Sequence, residues 1–150
     1  MFLNKRNWAQ AQSALEKASQ MDTTNPRVFS ALGMALVDQG NYDGAVGPLE
    51  KSLQLEPGAW ETNWTLGKVY YHRQQYDQAL KVSQLALTES NGKAPQVELL
   101  VAQALTAVGK YEDAAQTLRD FLKNYGDRAE APTARRWLDG LASDGKIRPN

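Results

Sequence analysis

The sequence predicts an all-α fold in which antiparallel helix pairs stack in series. Three observations predict it. A short motif recurs along the chain at a step of about 34 residues. Between its copies the apolar residues fall at helical rather than strand spacing. Turn-forming residues stand where each pair would reverse.

The segment Gly40-Asn41-Tyr42-Asp43-Gly44-Ala45 returns as Gln74-Gln75-Tyr76-Asp77-Gln78-Ala79 and again as Gly109-Lys110-Tyr111-Glu112-Asp113-Ala114. An earlier copy is Arg6-Asn7-Trp8-Ala9-Gln10-Ala11. The aromatic thus stands at 8, 42, 76 and 111, in steps of 34, 34 and 35, and a small residue follows at 11, 45, 79 and 114. A second pattern lies upstream of the later aromatics. It reads Phe29, Leu32, Gly33, Leu36, then Asn63, Leu66, Gly67, Tyr70, then Glu98, Val101, Ala102, Leu105. Each motif is weak alone; copies in one register at one period are a strong signal, because self-similarity at this step marks a repeat architecture.

Taken in order, residues 1–25 read as the second half of a repeat. A helix from about Asn7 to Met21 would carry Trp8, Leu15 and Ala18 without their usual cover. Repeat 26–59 opens on Pro26, whose missing N–H would be unpaired at a first helical position anyway. Phe29, Leu32, Ala35 and Leu36 then make one apolar stripe. Gly40-Asn41 stops this first helix, A, with residues that tolerate left-handed backbone. The second helix, B, is expected from Tyr42 to Leu55, with Ala45, Leu49, Ser52 and Leu53 inward and Pro57-Gly58 ending it. Pro48 falls inside helix B and is expected to bend it or delay its regular start. Gly33 and Gly67 are expected to face Ala45 and Ala79, so that two backbones approach closely.

Repeats 60–94 and 95–128 follow the same plan. A capping helix is expected within 129–142, running from Ala131 to Leu141. Pro132 suits its first turn, Ala134, Trp137, Leu138 and Leu141 would face inward, and Arg135, Arg136 and Asp139 would face water. The array is thus one unit over 1–142, with 143–150 as a flexible tail. No single pair can bury its own stripe; stacked neighbours do so jointly.

On these residues the chain resembles the tetratricopeptide repeats, whose pattern runs from a large aromatic through Leu-Gly, Tyr, Ala and a large residue to Pro. The resemblance covers nearly the whole chain. Asn63 and Glu98 depart from it, standing where the family has a large apolar residue, and Ala102 replaces the small Gly. The resemblance implies a right-handed superhelix whose A helices line a concave groove for an extended peptide or a helix. In the family, groove residues are the second, fifth, ninth, twelfth and thirteenth of each repeat. Carried onto this sequence they are Arg27, Ser30, Met34, Val37 and Asp38; then Glu61, Trp64, Lys68, Tyr71 and His72; then Gln96, Leu99, Gln103, Thr106 and Ala107. The candidate groove set is Arg27, Met34, Trp64, Lys68, Tyr71, His72, Leu99 and Gln103.

Trp64 and Tyr71 share a helical face, and amphipathic aromatics are favoured anchors at binding surfaces. Lys68, one turn from Trp64, is placed to meet a carboxylate or a partner's ring. The competing reading puts such aromatics between neighbouring helices. One subclass of the family clamps the C-terminal carboxylate of chaperones with Lys, Asn and Arg. Here those places hold Ser30, Met34, Thr65, Gln96 and Leu100, so a carboxylate clamp is not expected.

The remaining chemistry points away from catalysis. His72 is the single histidine and there is no cysteine, so no metal cluster, disulfide or thiol nucleophile is expected, and neither is a cofactor. No acid/base pair or activated nucleophile stands out, so no catalytic residue is assigned. Lys+Arg and Asp+Glu balance at 17 each, without the basic excess that nucleic-acid binding requires. No apolar run reaches the roughly 18 residues of a membrane helix, and Met1 to Arg6 does not read as a signal peptide. The compartment is not assigned. The expected function is a protein-interaction scaffold that holds a peptide or partner protein in the groove. The alternative is an assembly module that self-associates as a homo-oligomer through its N-terminal end.

Overall fold

The computed structural model describes residues 5–148, with side chains from Ala9 onward; the side chain of Trp8 and the last two residues of the expected tail lie outside that description. Every element among the described residues is a helix: α1 (Lys5–Met21), α2 (Pro26–Asp38), α3 (Tyr42–Leu55), α4 (Trp60–His72), α5 (Tyr76–Glu89), α6 (Pro95–Ala107), α7 (Tyr111–Tyr125) and α8 (Ala131–Ser143). None is long and apolar enough to cross a membrane.

Local chemistry sets the boundaries. The Asn25 side chain accepts the Arg27 N–H at 3.0 Å and Pro26 opens α2; the Asn41 side chain accepts the Gly44 N–H at 3.0 Å and opens α3. The A helices end alike. Gly40, Gln74, Gly109 and Gly145 take positive φ (77°, 61°, 83° and 71°). The next N–H then donates back five residues, from Asn41 to Leu36, Gln75 to Tyr70, Lys110 to Leu105 and Lys146 to Leu141, at 2.8–2.9 Å. α8 shares this exit, which the B helix α5 also shows, with Asn91 at φ 56° and the Gly92 N–H donating to Leu87 at 3.1 Å.

Each helix packs on its neighbours in sequence, and the A helices α2, α4 and α6 also approach one another, whereas among the described residues no two B helices do. The array therefore curves with its A helices on the inner wall. Its core is shared between adjacent pairs. Leu32 and Leu36 of α2, Ala45 and Leu49 of α3, and Leu66 and Val69 of α4 form one cluster; Ala115, Leu118 and Phe121 of α7 join Ala134, Leu138 and Leu141 of α8 in another. Leu15 of α1 packs against the first of these.

Three expectations are corrected. Gly33 does not chiefly accommodate Ala45: a Cβ there would lie 2.5 Å from Cγ and Cδ2 of Leu49, one turn further along α3. At Gly67 the nearest atoms belong to Leu100 of α6 and Val82 of α5 rather than to Ala79, so this glycine also admits the following repeat. Pro48 does not delay α3, which starts at Tyr42 under the Asn41 cap. Nor is the described part of the tail loose. α8 runs to Ser143, Ile147 is buried in the α7–α8 core, and the Arg148 N–H donates to Oε1 of Glu112 at 3.2 Å. Ile147 stands two residues after the positive-φ glycine, where the other repeats place Tyr42, Tyr76 and Tyr111.

Candidate binding groove

The inner wall gathers the first-helix residues singled out from sequence. On α2, Arg27 and Asp38 are exposed and Met34 is 50% exposed, unusual for a large apolar side chain; Ser30 and Val37 are half-buried. On α4, Trp64, Lys68 and Tyr71 are all half-buried. The Lys68 ammonium lies over the Trp64 ring, 3.7 Å from its centroid. Lys68 thus serves its own helix as the partner foreseen for an external ring. Burial pushes its ammonium below the ordinary lysine range, with the nearby Asp38 charge pulling it back up. That pull places Asp38 and Lys68 in electrostatic reach across the α2–α4 joint.

Trp64 packs against the cluster that contains Ala94, Val97 and Val101, as do Trp60 and Tyr71. The indole thus packs on the core shared by α5, α6 and α7 while its ring lies under the Lys68 ammonium. Tyr71 meets Tyr76 edge-on, with centroids 5.3 Å apart. His72 is exposed. Its ring stacks on Tyr42 of the preceding hairpin at 4.5 Å and 10°, beside the ion pair of Arg73 and Asp43 at 2.9 Å. The first-turn tyrosines cover joints between hairpins as well as their own turns, for Tyr111 similarly lies 5.0 Å under the Lys146 ammonium.

On α6, Leu99 is half-buried and Gln103 exposed. They line a hollow of about 200 Å³ together with Glu130, Thr133, Ala134 and Trp137. The structure thus brings Leu99 and Gln103 together with four residues not foreseen for the groove: Glu130, Thr133, Ala134 and Trp137. Trp137 was legible as an inward residue of α8, but its place in the groove required knowing that α8 repeats the geometry of an A helix. Gln96 and Ala107 are exposed on the same helix and Thr106 half-buried. Arg27 meets none of the other candidates in a hydrogen bond or ring contact.

Serial helix hairpins, a common left-handed exit from each A helix and an inner wall made of A helices define a helical-repeat protein of the solenoid class. The chain belongs to the tetratricopeptide-repeat family: the model described as anaphase-promoting complex, cyclosome, subunit 3 matches residues 38–121, and the tetratricopeptide repeat model matches residues 26–47.

Two curated proteins are similar. Cilia- and flagella-associated protein 70 of Homo sapiens is 30% identical over 89 residues, covering 57% of this chain and 8% of that protein. BBSome complex member BBS4 of Xenopus tropicalis is 30% identical over 97 residues, covering 65% of this chain and 18% of that protein. The chain spans less than a fifth of the length of these relatives. Among solved structures, MamA superimposes with a TM-score of 0.84 at 16% identity, over 97% of this chain and 88% of that one. YrrB, titled a TPR protein with an unusual peptide-binding site, gives 0.78 at 20% identity, over 88% and 68%. At these identities the likeness is one of fold.

Proposed function

We propose that the chain is a protein-interaction scaffold whose inner wall holds a peptide or a segment of a partner protein. The observation that carries this is the wall itself: Met34 half exposed, with Trp64, Lys68, Tyr71 and Leu99 half-buried along consecutive A helices. Apolar and aromatic surface rimmed by polar groups marks interaction sites. Family relatives support the reading, since YrrB carries a peptide-binding site and BBS4 is a member of a complex. The end-on alternative has less to stand on, because Leu15, one of the residues expected to lack cover, packs against the α2–α4 core.

The test is selection of a displayed peptide library on the wild-type chain, followed by affinity measurement on variants. Met34→Glu with Lys68→Glu reverses the character of the wall without removing either aromatic. A Trp64→Ala, Tyr71→Ala pair removes the anchors outright. Selected peptides should lose at least tenfold in affinity, since one anchor lost costs more than about 1 kcal/mol. Unchanged affinity on the Met34→Glu, Lys68→Glu chain, with circular dichroism and melting preserved, rejects the groove.

A further inference from the structure

The α6–α8 joint differs from the joint before it. α4, α6 and α8 each have thirteen residues, and their left-handed exits follow in the same register. They can therefore be compared position by position. The fifth and ninth residues of α4 are Trp64 and Lys68, the indole packed on the cluster of Ala94, Val97 and Val101 and covered by the ammonium. In α6 the same positions hold Leu99 and Gln103, and the counterparts of Ala94, Val97, Glu98 and Val101 are Glu130, Thr133, Ala134 and Trp137. These six residues are the ones that line the 200 Å³ hollow. The joint is also wider. Cα atoms of α4 and α6 come within 8 Å of each other, whereas no such approach joins α6 and α8 among the described residues. Two larger side chains stand there: Leu138 where Gly67 and Ala102 stand in α4 and α6, and Trp137 where they have Leu66 and Val101.

We infer that this hollow is a vacated aromatic site, which takes an aromatic side chain from the bound polypeptide with a lysine or arginine of the same segment laid against Glu130. This rests on the groove reading above and names what the groove's C-terminal end selects. Size favours one side chain, since small-molecule sites run to about 300–1,000 Å³. Shape favours an aromatic, because the equivalent position one joint earlier carries the chain's own indole, packed on the core and lying under its own ammonium. Charge favours a cation beside it. Glu130 is the single charged residue lining the hollow among the described residues, and its contact to Arg128, at 3.5 Å between half-exposed side chains, is of the kind that exchanges readily. Trp137 offers a ring wall, while exposed Gln103 and Thr133 offer hydrogen bonds to an extended backbone.

The experiment uses the full chain, labelled with nitrogen-15, and three capped dipeptides: acetyl-Trp-Lys-amide, acetyl-Leu-Lys-amide and acetyl-Trp-Glu-amide. Trp-Lys should shift the Trp137 indole N–H and the amides of Gln103 and Thr133, and saturate at lower concentration than the other two. The double variant Leu99→Trp, Gln103→Lys rebuilds in α6 the pair that α4 already accommodates, and should abolish these shifts. Glu130→Lys, a change at the exposed rim, keeps the test sharp should the double variant misfold; it should weaken Trp-Lys severalfold and favour Trp-Glu. Equal response to Trp-Lys and Leu-Lys, insensitivity to Glu130→Lys, or no response up to the solubility limit would overturn the inference. The two readings fail differently. Library peptides that lose Met34→Glu, Lys68→Glu but ignore Leu99→Trp, Gln103→Lys keep the groove and sink the aromatic site; no selected peptide at all sinks the groove.

Discussion

Replacing Glu98 puts the packing logic of the array to a thermodynamic test. The side chain lies on α6 with 7% exposure, and its Oε2 has no hydrogen-bond partner. It occupies the fourth position of its helix, which holds Phe29 in α2 and Asn63 in α4. Asn63, equally buried, donates its amide to Oε1 of Glu89 at 2.7 Å. Glu98 has no such relief at Oε2. Burial pushes its carboxyl above the ordinary glutamate value, and the Asp120 charge adds in the same direction. The folded chain therefore binds this proton more tightly than the unfolded one. As pH rises past the unfolded carboxylate value, about 4.3, the unfolded chain releases its proton first and stability falls. The loss is complete once the folded carboxyl has also ionised, and above that pH the cost is constant.

A buried acceptor left unpaired costs about 1–3 kcal/mol. Glu98→Gln should then stabilise the fold by about 0.5–1 kcal/mol at neutral pH, since the amide removes the charge but still lacks a full set of partners. Glu98→Leu should gain about 1–2 kcal/mol, having no polar group left to satisfy. For a chain this long, 1 kcal/mol moves Tm by about 2–4 °C. Melting followed by circular dichroism from mildly acid to neutral pH reads both variants against wild type. The Glu98→Gln advantage must shrink toward zero in acid, where both chains carry a neutral side chain. A Tm that falls at neutral pH in both variants, or a gain that persists undiminished in acid, refutes the reasoning.

Two further outcomes follow from the backbone and its close approaches. Gly33→Ala should destabilise by about 1–3 kcal/mol, because the new methyl meets Leu49 at 2.5 Å inside a packed core, whereas Gly67→Ala, whose tightest contact is 3.0 Å to Leu100 Cδ2, should cost less; chemical denaturation of the pair checks the order. Gln74 is the one A-helix exit among the four that is not glycine, at φ 61°, so Gln74→Gly should raise the midpoint by an amount equivalent to roughly 0.5–1 kcal/mol despite the freer unfolded chain, and a fall in midpoint would contradict the strain argument.

The helix pattern was legible because it is over-determined. Asn41 and Pro57 bracket α3 chemically, and Pro26 and Gly40 do the same for α2, so stripe, cap and stop all agree at those ends. What sequence spacing did not reveal is which neighbour a small residue makes room for. Gly33 and Gly67 occupy the same place in the motif, yet one admits Leu49 of its own hairpin and the other Leu100 of the next. Spacing along a helix fixes the face a residue occupies, while the atom it meets depends on the size of every side chain on the two facing helices. Ile147 was missed for a related reason. A tail is judged by composition, and Ile147 is ordered by its register with three tyrosines whose periodic place it takes without being aromatic.

The same reasoning explains why the candidate groove was read only in part. Position-by-position transfer treats all repeats as alike, and so it placed Trp64 and Lys68 in the candidate groove, with burial between neighbouring helices as the competing reading for the indole, and left α8 out. In the structure the Lys68 ammonium lies over the Trp64 ring, and both side chains are half-buried. The hollow beside α8 lies where one copy departs from its neighbour: Leu99 for Trp64, Gln103 for Lys68, and Leu138 for Ala102. A periodic array buries what it repeats. Surface left over for a partner arises where the period is broken by smaller side chains or a wider step, and those breaks can be found in a sequence once the register of its copies is known.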